Sequence, residues 1–129
     1  MTFYHYTCDH GREDIGDQGE LLSLALLRPK ALLSAGEDWV LRRQLIWVTD
    51  LAEPDIEGLG LTSETLTCER WRHRYRITNE RPIQRFSDMQ HRFSAYVQAS
   101  LLAGNARPEH WFVSWVPLPV VYEPIEVPA

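Results

Sequence analysis

The chain has 129 residues, of which 44% are hydrophobic, 11% aromatic and 24% charged. This composition is typical of a globular protein with a core, and we expect a single domain over residues 1–129. The formal net charge of −5 argues against generic nucleic-acid binding. No apolar run approaches the roughly 18 residues of a membrane-spanning helix, and no signal peptide is visible. We therefore expect a cytoplasmic protein with no membrane partner.

The first predicted strand covers residues 2–7, and alternation divides its side chains between two faces. One face carries Phe3, His5 and Thr7, and the other carries Tyr4 and Tyr6. A histidine with aromatic neighbours at the end of a first strand can form one wall of a nucleotide pocket. The alternative is a terminal strand with half-buried tyrosines, because aromatic residues are good strand formers.

Two more elements follow from turn residues and apolar runs. Residues 10–18 could form one or two helical turns, with Gly16 as a stop signal. The run from Leu45 to Thr49 predicts a second strand, which Asp50 closes.

Residues 69–78 show strict alternation and predict a third strand. Its arginines share one face, and the other face is mostly aromatic: Arg70, Arg72, Arg74 and Arg76 alternate with Trp71, His73, Tyr75 and Ile77. The arginine face is either solvated, with Glu64 and Glu69 near enough to neutralise it, or a surface for phosphates or an acidic partner.

The segment 88–103 predicts one long helix. Ser87 and Gln90 match a capping box, and helical spacing relates the apolar residues Met89, Phe93, Tyr96, Val97 and Leu101. An aromatic-rich strand is predicted over 111–116. Pro117 and Pro119 predict that the chain then continues as an edge strand or an extended tail.

Together these elements indicate an α+β fold with a small, split, mostly antiparallel sheet and one long helix. The strands are too irregularly spaced for a doubly wound sheet.

Cysteine and histidine residues offer two weak alternatives for chemistry. His5, Cys8, His10 and the distant Cys68 could hold zinc, although their spacing matches no standard structural site. Cys8 with either histidine could act as a nucleophile, but no orienting third group is evident. A small buried cysteine is the simpler interpretation.

The cluster of Trp111, Phe112 and Trp115 has two interpretations. It either packs in the core or provides a stacking wall for a base or a nicotinamide ring.

Three segments resemble the ADP-ribosyltransferase superfamily, in its compact DarT-like and RNA 2′-phosphotransferase-like branches. They are Tyr4-His5-Tyr6-Thr7 with the following Ile15 and Gly19, then Ile46-Trp47-Val48-Thr49, and finally the segment from Trp111 to Pro119. These motifs span most of the chain in order, and each is short.

The resemblance implies an ADP-ribosyltransferase-like domain that binds NAD or a related nucleotide in a cleft between two small sheets. His5 would bond a ribose hydroxyl, and Thr49 would face the nicotinamide ribose. Tyr6, or an aromatic residue after the second strand, would stack near nicotinamide. An arginine, Arg74 or Arg12, would meet the pyrophosphate. The implied nucleotide-binding set is His5, Tyr6, Thr7, Trp47, Thr49 and Arg74.

The resemblance also implies a catalytic glutamate at or just before the last strand. Glu109 is the nearest acid, two residues earlier than the family pattern. With it, the protein would transfer ADP-ribose to a protein or nucleic-acid acceptor. The alternative is a non-catalytic module that uses the arginine-rich strand and exposed tryptophans to bind a nucleotide or a protein partner.

Overall fold

A computed structural model of the chain describes residues 1–16, 18–27, 39–59 and 70–125. Its strands are β1 Tyr4–Thr7, β2 Gln18–Leu21, β3 Ile46–Thr49, β4 His73–Ile77, β5 Gln84–Arg85, β6 Trp111–Ser114 and β7 Leu118–Tyr122. Its α-helices are α1 Asp9–Ile15, α2 Leu24–Leu27, α3 Val40–Gln44, α4 Phe86–Met89 and α5 Ala95–Leu101. Short 3₁₀ helices cover Gln90–Arg92 and Pro108–His110.

The seven strands form one sheet in the order β2-β7-β4-β1-β3-β6-β5. Every recorded pairing is antiparallel, which confirms the predicted α+β class and the antiparallel sheet. The described strands belong to a single sheet, whereas we predicted two small sheets.

The join between β1 and β3 is the narrowest in the sheet. Only Tyr4 and Thr49 face each other in register there, whereas β1 aligns four residues with β4. The next link is made by a side chain, because His5 Nδ1 donates to the Trp47 carbonyl oxygen at 2.8 Å. The sheet is thus weakly joined at this place without being divided.

Two hydrophobic clusters cover the two faces of β3 and β6. On one face Ile46, Val48 and Phe112 pack with residues of β4 and β7. On the other, the side chains of Trp111 and Val113 pack against α4 and α5. Successive side chains of β3 and β6 enter the two clusters in turn. Both strands therefore contain apolar residues on both of their faces.

The helix predicted over 88–103 is wrong as a single element. The chain leaves the helical region at Phe93, whose ψ is 149°, and Ser94 then caps α5 by accepting from Val97 N–H at 3.2 Å. The predicted capping box is wrong as well, because Ser87 lies within α4. Ser94 is the stronger start signal because its extended backbone places the hydroxyl on a free helix N–H. The break lets Phe86 and Phe93 enter the same core cluster.

The arginines of the segment predicted over 69–78 bond acidic residues from other parts of the chain. The strand in this segment begins at His73, later than predicted. Arg74 and Arg76 both bond the Glu123 carboxylate, at 3.2 and 3.0 Å, and Arg72 lies 3.3 Å from Asp9. The predicted partners Glu64 and Glu69 lie outside the described residues.

The segment after Pro117 is an inner strand, so the prediction of an edge strand or tail is wrong. β7 lies between β2 and β4. Pro119 takes part through its carbonyl oxygen, which accepts from Thr78 N–H at 3.0 Å. Because this pairing needs no amide hydrogen from residue 119, proline is tolerated inside the sheet.

We expect Phe93→Ala to lower the free energy of unfolding by about 3–5 kcal/mol, as for other large-to-small core changes. Phe93 is only 4% exposed and packs in the second cluster. Tyr96→Ala is the control, because the Tyr96 ring is 66% exposed and makes an edge-to-face contact with Trp39. We expect this change to lower the free energy of unfolding by less than about 1.5 kcal/mol. Denaturant unfolding measures both. Equal costs would contradict the packing described here.

The start of α5 predicts a second pair of outcomes. Ser94→Ala should cost about 1 kcal/mol because it removes a helix cap, and Ser94→Asp should restore most of the loss. Ser87→Ala should change the free energy of unfolding by less than about 0.5 kcal/mol. A larger loss at Ser87 than at Ser94 would favour the continuous helix.

Candidate functional site

A groove runs along the edge where several strands begin or end. It consists of two neighbouring cavities of about 280 and 390 Å³, which share Met1, Arg85 and Phe112 as lining residues. The smaller cavity is also lined by Asp50, Ser87, Pro108, Glu109 and Trp111. The larger is also lined by Phe3, Glu80, Arg81 and Ile83. We call the two together the strand-end groove.

The sheet register explains why these residues meet. Tyr4, Thr49 and Trp111 are aligned across β1, β3 and β6, so the residues just beyond them share one edge. Arg85 joins this edge because it faces Phe112 across β5 and β6. Four chain segments far apart in sequence therefore contribute to one groove.

The two cavities of the groove differ in their charged and apolar groups. Asp50 and Glu109 place carboxylates in the smaller cavity. Phe3 and Ile83 line the larger cavity, and Arg81 adds a second guanidinium there. Arg85 borders both cavities. Glu80 also lines the larger cavity, so each cavity combines carboxylate and guanidinium groups, and the larger one adds an aromatic and aliphatic surface.

A chain of hydrogen bonds holds Asp50 of the smaller cavity in place. His110 Nδ1 lies 2.7 Å from Asp50 Oδ1, and Arg107 Nη2 lies 2.8 Å from His110 Nε2. Arg107 in turn bonds Asp55 at 2.9 Å. The Gly58 N–H and then the Arg107 guanidinium lower the pKa of Asp55, while the Asp55 carboxylate raises the pKa of Arg107. Arg107 is therefore the central cation of this chain and contacts both His110 and Asp55.

Glu109 lines the strand-end groove, as do Trp111 and Phe112 of the predicted aromatic cluster. The Glu109 side chain is exposed and lies 3.6 Å from the Arg107 guanidinium. Glu109 follows Pro108 in the short 3₁₀ helix that precedes β6.

His5 lies one residue beyond the β1–β3 pair and does not line either cavity. Its ring is half-buried, and packing around it lowers its pKa, with the Trp47 carbonyl opposing this shift. In the place of the expected crevice, the His5 side chain contacts the Trp47–Thr49 segment at its backbone, through the bond to the Trp47 carbonyl oxygen. The Trp47 ring points to the opposite face, where it packs with Phe86, Phe93 and Trp111.

Tyr6 and Thr49 are buried on the face opposite His5. The Tyr6 hydroxyl donates to the Leu51 carbonyl oxygen at 2.8 Å, and burial raises the pKa of Tyr6 to about 12. Thr49 Oγ1 accepts from Leu51 N–H at 3.2 Å. Both hydroxyls therefore hold the turn after β3.

Thr7 and Arg74 also make internal contacts. A Cβ at position 11 would fall 1.8 Å from Thr7 Oγ1, so Gly11 is required for α1 to pack against Thr7. The Arg74 guanidinium donates to the Ala52 carbonyl and to Glu123. It also lies 5.1 Å from the Tyr4 ring. These contacts use the donors that a pyrophosphate would need.

A second polar cluster joins α1 to β4 and β7. His73 bonds Asp9 at 2.6 Å and Tyr122 at 2.9 Å, and the Arg12 guanidinium lies 3.7 Å from the centre of the Tyr122 ring. The bond from His73 is the main cause of the lowered pKa of Asp9. Neither groove cavity includes these residues, and we assign the cluster to anchoring α1.

The described part of the chain contains no group of three or more metal-ligating side chains. Cys68 and the side chain of His10 lie outside the described parts, so the zinc and nucleophile alternatives rest on His5 and Cys8 alone. The His5 Nδ1 hydrogen is already donated to Trp47. Among the described residues no helix has the length and hydropathy to cross a bilayer.

Sequence reasoning missed Asp50 and Arg85, which line the groove, and Arg107 and His110, which hold Asp50 from behind. Asp50 had a usable signal, since it directly follows a predicted strand. The others had none, because only the β5–β6 register and the 3₁₀ helix bring them to this edge.

Comparisons with protein-family models, with curated proteins and with solved structures find no match for this chain. Function is therefore argued from the groove and its residues.

The lowered pKa of His5 predicts an effect of pH on the stability of the protein. Because its folded pKa lies below the unfolded value of about 6.5, the unfolded chain binds a proton that the native chain resists. Stability is then complete above that value and falls as the pH drops below about 6.5. His5→Asn keeps a donor near the Trp47 carbonyl without titrating. Between pH 7.5 and 5.5 the melting temperature should fall more in the wild type than in this variant, and equal losses would contradict the assignment.

Proposed function

We propose that the protein binds NAD or a related nucleotide in the strand-end groove, as an ADP-ribosyltransferase-like domain. Transfer of ADP-ribose to a protein or nucleic-acid acceptor is the proposed activity, with Glu109 as the catalytic carboxylate. The observation that carries the proposal is the position of Arg85, which borders both the cavity that contains Asp50 and Glu109 and the cavity that contains Phe3 and Ile83.

This arrangement of a guanidinium group, carboxylates and apolar side chains matches the chemistry of a nucleotide. A guanidinium group bonds phosphate oxygens in a bidentate way, which suits Arg85 at the centre of the groove. Phe3, Ile83 and Phe112 offer apolar area for a base. Asp50 and Glu109 offer acceptors for sugar hydroxyls. Pockets of a few hundred Å³ are in the usual range for such ligands.

The positions of the family-like motifs support the same groove. The three segments that resemble ADP-ribosyltransferases form β1, β3 and β6, which are consecutive in the sheet. The groove lies at the end of these three strands. The six residues first assigned to nucleotide binding do not line it, so the proposal rests on a different set of side chains from the same strands.

When bound, NAD would supply a ribosyl carbon whose bond to nicotinamide breaks with the electron pair leaving on the ring. The part of Glu109 is to hold negative charge near that carbon, where positive charge develops. Its exposed carboxylate contacts the Arg107 guanidinium and lines the smaller cavity.

A non-catalytic protein-binding role is the second candidate. Trp115 is 39% exposed at the turn between β6 and β7, next to the exposed Val116, and the Arg92 guanidinium lies 4.6 Å from its ring. Exposed tryptophan with arginine is common at binding hot spots. The arginine-rich strand favours this role less, because Arg74 and Arg76 are already paired with Glu123.

The binding proposal predicts a selective loss on changing Arg85. Wild-type protein should be stabilised by NAD and by ADP-ribose, by about 2.7 kcal/mol at a ligand concentration of one hundred times Kd. Arg85→Ala should weaken binding by roughly tenfold or more, since a bond to a charged group contributes about 1.5–3 kcal/mol. Arg72→Ala, on the far side of the sheet, is the control. Absence of any thermal shift at millimolar NAD would favour the protein-binding alternative.

The proposed activity predicts that Glu109→Gln separates binding from reaction. The variant keeps the size of the side chain and loses its charge, so NAD affinity should change less than threefold. Transfer from labelled NAD should fall by roughly a hundredfold, the scale of one electrostatic contribution to catalysis. Unchanged labelling in the variant would remove Glu109 from the mechanism.

A further inference from the structure

Asp50 is the most constrained carboxylate in the strand-end groove. Its side chain is 24% exposed and lines the smaller cavity. One of its oxygens, Oδ1, is held by His110 Nδ1 at 2.7 Å. The other, Oδ2, has no hydrogen-bond partner among the described residues, so it is available to a ligand.

The contact with Arg107 decides which ring nitrogen of His110 accepts. A guanidinium group has only N–H donors, so His110 Nε2, at 2.8 Å from Arg107 Nη2, must accept. The ring hydrogen then lies on Nδ1 and is donated to Asp50 Oδ1.

Arg107 is itself fixed on two sides. Its guanidinium bonds Asp55 at 2.9 Å, and its backbone N–H donates to the Gly58 carbonyl at 2.9 Å. His110 N–H also bonds the Arg107 carbonyl at 3.0 Å. The run of contacts from Asp55 through Arg107 and His110 therefore sets the direction of the Asp50 carboxylate.

The neighbours of Asp50 limit what its free oxygen can bind. A carboxylate oxygen accepts and cannot donate, so the ligand group must carry O–H or N–H. Arg85 lines the same cavity and suits a ligand that also carries a phosphate. A phosphorylated sugar with neighbouring hydroxyls satisfies both residues.

We infer that Asp50 binds the hydroxyl groups of the ligand's ribose, and that His110 is a positioning residue for it, held in its tautomer by Arg107. This subsite deepens the proposed nucleotide function and rests on it. Phosphate at Arg85 and the 2-hydroxyl at Asp50 are recognised together, so the groove distinguishes ribose from 2-deoxyribose.

The test measures binding by calorimetry with four probes: NAD, ADP-ribose, ribose 5-phosphate and 2-deoxyribose 5-phosphate. Wild-type protein should prefer ribose 5-phosphate over its 2-deoxy form by roughly tenfold, the effect of one hydrogen bond to a charged group. Asp50→Ala should abolish this preference, with Asp50→Asn as the second variant if the first fails to fold. Glu20→Gln, on the opposite side of the sheet in β2, is the matched control.

A pair of variants at position 110 isolates the positioning role. Asparagine places an amide N–H near the former Nδ1, whereas glutamine places it near Nε2. His110→Asn should therefore keep the preference for ribose, and His110→Gln should lose it. A purely structural role would instead make both variants differ in melting temperature without changing the preference.

The outcomes separate this inference from the proposed function. Binding of ribose 5-phosphate through Asp50 without binding of NAD or ADP-ribose would support the ribose subsite and remove the NAD proposal. NAD binding that Asp50→Ala leaves unchanged, with no preference between the two sugar phosphates, would overturn the subsite and keep the function. Absence of binding to all four probes would overturn both.

Discussion

The narrow join between β1 and β3 is the constraint on which the rest of the structure depends. On one side of it lie β4, β7 and β2, and on the other lie β6 and β5. The pair of Tyr4 with Thr49, the side-chain bonds from His5 to Trp47 and from Tyr6 to Leu51, and the first hydrophobic cluster hold the halves together. Because the strand-end groove begins directly beyond that pair, any change in the angle between the halves would alter the groove.

The same join explains why His5 matters without lining a cavity. Its ring replaces a backbone link of the ladder, and the packing around the ring lowers its pKa. Tyr6 and Thr49 fix the following turn through Leu51. The family resemblance assigned these residues to the ligand. In the structure they instead hold β3 and the turn after it, and so place Asp50 at the edge of the groove.

Local patterns predicted the strands well and the helices poorly. Alternation along residues 2–7 and the apolar run before Asp50 both correspond to strands, because a side-chain period of two leaves a clear signal. The helix over 88–103 failed because Ser94 caps a new helix within the same apolar spacing, and the spacing alone does not show the break. The prediction of an edge strand or a tail at Pro119 failed for a different reason, because pairing with distant strands decides the position of β7 in the sheet.

The sequence by itself determined the α+β class, the strands β1, β3, β4 and β6, and the presence of an acid beside the last aromatic strand, since these depend on neighbouring residues. Only the tertiary structure decided which charges meet. Glu123 neutralises Arg74 and Arg76, and Arg107 and His110 direct Asp50. These partners lie tens of residues apart along the chain, and their distance is set by sheet register, which no local pattern contains.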